Sequence, residues 1–294
     1  MPSGAIGEGT WSRLGILAGG GTLPLRVAEA EANAGRQPFI VRLTDEEGPI
    51  TSYPNDQVQI GELGRVIKRL KSEGCDAVCL AGQLKRPNFA SIKADWRGAM
   101  VLPKVVAAAR KGDGAILDVI VDVFEGEGFQ VIGAEAASER LLLPAGALGT
   151  KTPCRDDFPD MAKGAALVEV LGPFDVGQGA VIRRGFVLAV EAAEGTDAML
   201  RRCADLPENL KGYEPGEEQS LVGVLVKRPK PGQELRVDLP TIGVETIERA
   251  HAAGLAGVAA QAEHALVIDR DEVIAKADEL GVFVYGYRTE EVTG

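Results

Sequence analysis

The chain has 294 residues, of which 45% are apolar and 26% charged, and a formal net charge of −11. The length favours two domains over one, and no apolar run approaches the roughly 18 residues that cross a bilayer. The acidic balance argues against nucleic acid as a partner, because affinity for a phosphate backbone needs a basic face.

Met1 to Arg13 lacks an apolar core of signal-peptide length and reads as a loose tail, which points to the cytosol. Leu14 to Ala18 is a short apolar run closed by Gly19-Gly20-Gly21. A helical pattern over Leu23 to Ala34 and a second apolar run, Pro38 to Leu43, complete a βαβ unit. The alternation predicts a strand at Val58 to Ile60, a helix over Glu62 to Glu73 and a strand at Asp76 to Leu80. Helices over Val101 to Arg110 and Ala115 to Glu125 and a strand at Phe129 to Ile132 follow. Residues 14–142 are therefore expected to form a Rossmann-like, doubly wound parallel sheet of the α/β class.

Residues 143–158 lose periodicity and gather Gly, Pro and Thr, as a linker would. Residues 159–294 are expected to form an α+β domain. It opens with a helix over Asp160 to Leu171 and a hairpin, Ala180 to Ile182 with Phe186 to Val190, turning at Arg183-Arg184-Gly185. A helix over Thr196 to Ala204 and a strand at Leu221 to Val226 come next. A helix over Val244 to Ala253, strands at Val258 to Ala260 and Ala265 to Ile268, a helix over Asp271 to Leu280 and a strand at Val282 to Tyr285 complete it.

The cysteines, Cys75, Cys79, Cys154 and Cys203, form no C-x-x-C and read as reduced thiols. His251 and His264 lack the spacing of a zinc site, so any metal should be a hard cation on oxygen ligands. Gly19, Gly20, Gly21, Thr22 and Leu23 follow a strand and open a helix, where backbone N–H groups and the helix dipole attract phosphate. The competing reading is a tight packing turn, since Pro24 stands where a dinucleotide fingerprint needs its third glycine. Asp45 sits roughly where a ribose-binding acid would.

Gly82, Gln83, Lys85 and Arg86 should emerge at the same sheet edge as the glycine turn, either to meet base, sugar and phosphate or to face water. Asp113 reads as a helix cap or as a second carboxylate near that crevice. Thr196 and Asp197 are natural caps for the helix they open, with Glu191 and Glu194 crowding negative charge beside them. Lys227 to Gly243, K-R-P-K-P-G-Q-E-L-R-V-D-L-P-T-I-G, is basic and holds Asp238 between apolar residues before a proline. Lys227, Arg228, Lys230 and Arg236 can offset phosphate charge while Asp238 holds a cation or orients water; a solvated basic turn is the alternative.

Four segments carry a resemblance. G-I-L-A-G-G-G-T-L-P at Gly15 to Pro24, D-V-G-Q at Asp175 to Gln178, A-V-E-A-A-E-G-T-D at Ala189 to Asp197, and G-V-L-V-K-R-P-K-P-G-Q-E-L-R-V-D-L-P-T-I-G at Gly223 to Gly243 resemble the LpxI family. The similarity runs from about Leu14 to Gly286, and the first thirteen residues precede the family's usual start. The resemblance implies magnesium-assisted hydrolysis of UDP-2,3-diacylglucosamine to UMP and lipid X, with water attacking the sugar-side phosphorus. It further implies a substrate held between two domains, a homodimer, and a cytoplasmic enzyme with peripheral contact at the inner membrane. Asp238, in the family's D-L-P-x-I-G motif, carries over as the catalytic and metal-binding residue.

On that reading Lys227 meets phosphate, the Gly19 to Gly21 turn takes the UMP half with Thr22 and Leu23 as further substrate contacts, and the amides of Gly82 and Gln83 serve uracil or ribose. Lys85, Asp113, Gln178, Thr196 and Asp197 complete the expected substrate contacts, and apolar strands of the second domain line a cleft for two acyl chains. The rival classes are an NAD(P)-dependent oxidoreductase, which Pro24 counts against, and a non-catalytic nucleotide-sugar or lipid-binding regulator.

Overall fold

The computed structural model describes residues 11–45, 48–84, 91–211 and 220–292. The chain divides between Glu139 and Arg140 into two compact units.

In the first unit, β1 (Leu14–Ala18), β2 (Phe39–Arg42), β3 (Asn55–Gln57), β4 (Ala77–Ala81) and β5 (Gln130–Ile132) form one sheet in the order β3-β2-β1-β4-β5. Every neighbouring pair is parallel. The helices are α1 (Leu23–Asn33), α2 (Leu63–Ser72), α3 (Trp96–Ala108), α4 (Asp113–Gly126) and the short α5 (Ala134–Ala137). All five residues of β1 are buried, which is why this strand reads as a continuous apolar run. Cys75 and Cys79 are buried free thiols, and burial pushes Cys75 up to about 11.

Three expectations shift here. Trp11 to Arg13 belong to the unit: Trp11 is buried and donates to Glu31 at 3.0 Å, and Asp76 accepts from the amides of Ser12 and Arg13. The third strand is Asn55–Gln57 instead of Val58 to Ile60, because a polar edge strand pairing with β2 alone lacks the apolar signature of its neighbours. Helix α3 starts at Trp96, five residues before the expected Val101. Asp95 sets that start, accepting from the amide of Gly98 at 2.7 Å, and its other oxygen accepts from the amide of Arg65 in the first turn of α2 at 3.0 Å. One carboxylate thus caps two helices.

The strand order reverses between β1 and β4, and there the glycine turn meets the loop after β4. The amide of Gly20 donates to the Gln83 carbonyl at 2.8 Å and that of Gln83 to the Gly20 carbonyl at 2.9 Å. Gly82 has φ +88°, and a Cβ there would lie 2.5 Å from the Gly20 carbonyl oxygen. Gly82→Ala is expected to destabilise the first unit by about 2–3 kcal/mol. The chain's two tryptophans, Trp11 and Trp96, both lie in this unit. Urea unfolding followed by fluorescence therefore reads it directly, and an unmoved midpoint would contradict the close approach.

In the second unit the strands are β6 (Gly146–Leu148), β7 (Gly179–Arg183), β8 (Phe186–Val190), β9 (Val224–Lys227), β10 (Thr241–Ile242), β11 (Gly257–Gln261), β12 (Leu266–Val267) and β13 (Phe283–Tyr287). Six form a mixed sheet in the order β6-β13-β11-β9-β7-β8, while β10 pairs with β12. Strands β9, β11 and β13 run parallel, β6 and β7 flank them antiparallel, and β8 pairs antiparallel with β7 at the edge. The helices are α6 (Asp157–Leu171), α7 (Gly195–Ala204), α8 (Val244–Ala252), α9 (Arg270–Leu280) and the short α10 (Thr289–Val292).

Alternate residues of β9 point to opposite faces. Val224 and Val226 join Met161 and Ala165 of α6 in one core, and Leu225 joins Met199, Ile247 and Val273 in the other. The hairpin turns on Arg184 and Gly185, both with positive φ, as a two-residue I′ turn requires.

The stretch 143–158, expected as a linker, lies inside this unit, and its Gly146–Leu148 pairs with β13. Strand β9 begins at Val224, three residues after the expected Leu221, and ends on Lys227.

Candidate active site

The parallel strands of the second unit all end at one edge, and β9 ends there on Lys227. The register opposes Lys227 to Gly179, the first residue of antiparallel β7, so the loop before β7 arrives beside the lysine. In that loop Asp175 is left-handed, with φ 55°. Gly177 has φ +41°, and a Cβ on it would lie 2.2 Å from the Glu191 carbonyl oxygen. Glycine is what lets 175–178 lie against the end of β8.

The side chain of Gln178 then reaches Asp238, its Nε2 donating to Oδ2 at 3.0 Å. Asp238 follows a loop closed by Gln233, whose Oε1 accepts from the Lys230 amide at 2.8 Å and whose Nε2 donates to the Asp238 carbonyl. Beyond it, Leu266 donates to the Pro240 carbonyl at 2.8 Å, and β10 carries the chain on into α8. Asp238 is thus gripped through its side chain and its backbone by two glutamines.

Charge is tightly packed around it. Lys227 is 6% exposed, and its Nζ donates to the Thr241 carbonyl at 3.0 Å. Burial pulls the Lys227 pKa below the ordinary lysine value, while Glu191, Asp197 and Asp238 oppose that shift. Burial pushes the Asp238 carboxyl above the usual carboxylate value. The Gln178 hydrogen bond and the charges of Lys230 and Lys227 pull it back, and Asp175 adds to the rise. Lys230 is itself paired with Asp175.

The other cations expected to meet phosphate are already engaged: Arg228 pairs with Glu169 at 3.0 Å and Arg236 with Glu234 at 2.7 Å. Thr196 and Asp197 lie within the first turn of α7 and do not cap it; Glu194 holds the cap position, and Asp197 faces Arg249 at 3.5 Å. Beside the site, a recess of about 240 Å³ is lined by Arg228, Lys230, Gln233, Gln261 and His264 among others. Among the described residues no three carboxylate, histidine or cysteine side chains converge to hold a cation unaided.

The first unit gathers fewer of the expected contacts. The amides of Gly19 and Gly20 donate to the carbonyls of Ala81 and Gln83, and the Gln83 amide is equally engaged. Those N–H groups are committed to joining two loops, the tight-turn alternative. Thr22 holds the α1 cap position, and Gly21 precedes it with φ +86°. Asp45 accepts from Gln57 at 2.5 Å and borders a cleft of about 650 Å³ with Gln59, Glu62 and Arg65, which none of residues 19–23 lines. Asp113 is the exposed first residue of α4, after Gly112 at the cap position. Lys85 and Arg86 lie outside the described residues.

Asp238, Gln178, Lys227 and Asp197 were singled out from sequence and do converge. Gln233 and the Thr241 carbonyl were not. Gln233 lies in the K-P-G-Q turn, which only marks a loop, and a carbonyl acceptor leaves no trace in residue type.

Residues 13–141 match the LpxI N-terminal domain, and residues 144–285 match the LpxI C-terminal domain. The UDP-2,3-diacylglucosamine pyrophosphatase LpxI of Caulobacter vibrioides is 49% identical over 280 residues, covering 95% of this chain and 99% of that protein. Among solved structures, the CobK precorrin-6A reductase aligns at 14% identity over 93% of this chain and 86% of its own, with a TM-score of 0.31. A murein peptide ligase from Psychrobacter arcticus aligns at 11% identity over 94% and 53%, with a TM-score of 0.27.

Proposed function

The chain belongs to the LpxI family, and from that membership we propose that it hydrolyses the pyrophosphate bond of UDP-2,3-diacylglucosamine, releasing UMP and lipid X in lipid A biosynthesis. The observation that carries the reading is the Asp238 carboxyl, fixed by Gln178 beside buried Lys227 at the carboxyl edge of the parallel strands. Open α/β sheets place ligands at that edge.

A pyrophosphate brings several negative charges, and breaking it needs those charges offset and a water held in line. Lys227 supplies a buried ammonium that donates to a backbone carbonyl, so an arriving phosphate oxygen gains more there than at an exposed lysine. Asp238, ionised, accepts a proton or a hydrogen bond from the attacking water, and Gln178 sets the direction its free oxygen faces.

The chemistry of the site suits a hard cation such as magnesium, because Asp238 presents carboxylate oxygen. Asp238 would be the residue that holds such an ion. When bound, the cation supplies charge neutralisation on the non-bridging oxygens.

Attack falls on the sugar-side phosphorus in this reading. Hydrolysis in ¹⁸O-water is then expected to place the label in lipid X and none in UMP, read by mass spectrometry. Label in UMP would reverse the direction of attack, and absence of UMP release would remove the activity. No helix among the described residues is long and apolar enough to cross a membrane. A diacylated substrate nevertheless lives in a leaflet, so the enzyme works in the cytoplasm with peripheral contact at the inner membrane.

A further inference from the structure

Helix α3 departs from the rule that a surface helix shows water its polar face. Its exposed positions fall on one stripe: Trp96, Ala99, Met100, Pro103, Lys104 and Ala107, continuing through the helical turn that follows to Arg110 and Lys111. These are the spacings i, i+3, i+4, i+7, i+8, i+11, i+14 and i+15, so they share a face. Trp96 and Met100 are each 68% exposed. Val101, Leu102, Val105 and Val106 are only half-buried beside them.

The charge on this stripe is equally unusual. From Trp96 to Gly112 no acidic residue occurs, in a chain with 43 acidic residues against 32 basic ones. The other cation of the helix, Arg97, is half-buried; it pairs with Glu127 and lies over the Trp96 ring, 5.2 Å from its centroid. Lys104, Arg110 and Lys111 are all exposed. A stripe that is aromatic and aliphatic over two turns and carries cations and no acid over the next two fits an anionic lipid surface: the apolar side chains enter the acyl boundary and the cations meet headgroup phosphates.

We propose that the exposed stripe of α3, from Trp96 to Lys111, docks the protein on an anionic membrane leaflet. It deepens the peripheral contact of the preceding section, and it rests on that reading only for why a membrane is met at all. A second copy of the chain fits less well, because two such stripes would bring like charges together.

The test is co-sedimentation of the full chain with vesicles of phosphatidylethanolamine and phosphatidylglycerol, against vesicles of phosphatidylcholine. The native chain is expected to bind the anionic vesicles, less so as salt rises, and to leave the neutral ones. K104Q/R110Q/K111Q should weaken binding about 100-fold, and W96S/M100S about tenfold. With Trp11→Phe, Trp96 is the only tryptophan left, and its emission should shift to the blue on vesicle addition. Co-sedimentation of the native chain stands without that variant.

Equal binding by native and stripe-altered chains, or no binding by the native chain, overturns the proposal. So does a native dimer that the stripe substitutions dissociate, which would give the face to a second copy. Neither vesicle measurement needs substrate, so failure of hydrolysis would remove the activity and leave docking standing. Conversely, both stripe variants should cleave a short-chain, water-soluble substrate at the native rate.

Discussion

Asp238→Asn is expected to lose about 10³-fold in kcat while gaining stability at neutral pH. The first effect follows from removing an anion that the reaction uses at the water or at the cation. The second follows from the direction of the Asp238 shift. Burial raises its folded pKa above 3.8, so its contribution to stability is full below 3.8 and is lost as pH rises through the folded value. Asparagine fills the same volume, still accepts from Gln178, and carries no charge to desolvate. UMP release and a thermal melt on the same sample check both halves. An inactive variant with a lowered melting temperature would point to misfolding, and a fully active one would remove Asp238 from the chemistry. The same shift sets the acid limb of kcat/KM above the ordinary carboxylate range. Gln178→Leu deletes a hydrogen bond that favours the ionised form, so its acid limb should move further up.

What the sequence disclosed depended on how each residue is held. Strands β1 and β9 are legible because both of their faces are buried and the apolar run is unbroken. Asn55–Gln57, Gly146–Leu148 and Thr241–Ile242 are not, since each is only two or three residues long and pairs with a single neighbour at a sheet edge. At the site, an acid among apolar neighbours and a lysine ending an apolar strand were visible in composition. The pairing of the remaining cations was not: Arg228 finds Glu169 and Lys230 finds Asp175 across more than fifty residues, which turns an apparently bare basic stretch into one largely neutralised. The partners of the Gly19 and Gly20 amides were hidden for a related reason. Periodicity marks where β1 and β4 end, but only the fold shows that the two loops spend their amides on each other.

Neutralising the rest of the stretch leaves Lys227 as the cation with most to gain from substrate, and its replacement is the second large effect. Lys227→Met should retain the fold, because methionine fills the stem's volume and removes a charge that burial disfavours. It should lower kcat/KM about 10²-fold, since Glu191, Asp197 and Asp238 would then face the incoming pyrophosphate without the ammonium between them. Lys227→Arg should not restore activity: a guanidinium fork is wider than the space that one Nζ occupies against the Thr241 carbonyl. The depressed lysine pKa adds a signature in pH. Protonated Lys227 is the binding form and is lost as pH rises through a value below 10.5, so the native alkaline limb lies under the ordinary lysine range. Methionine should flatten that limb. A Lys227→Met enzyme that keeps both its rate and its alkaline limb would place the phosphate elsewhere, and Asp238 would then have to act without a neighbouring cation from this strand.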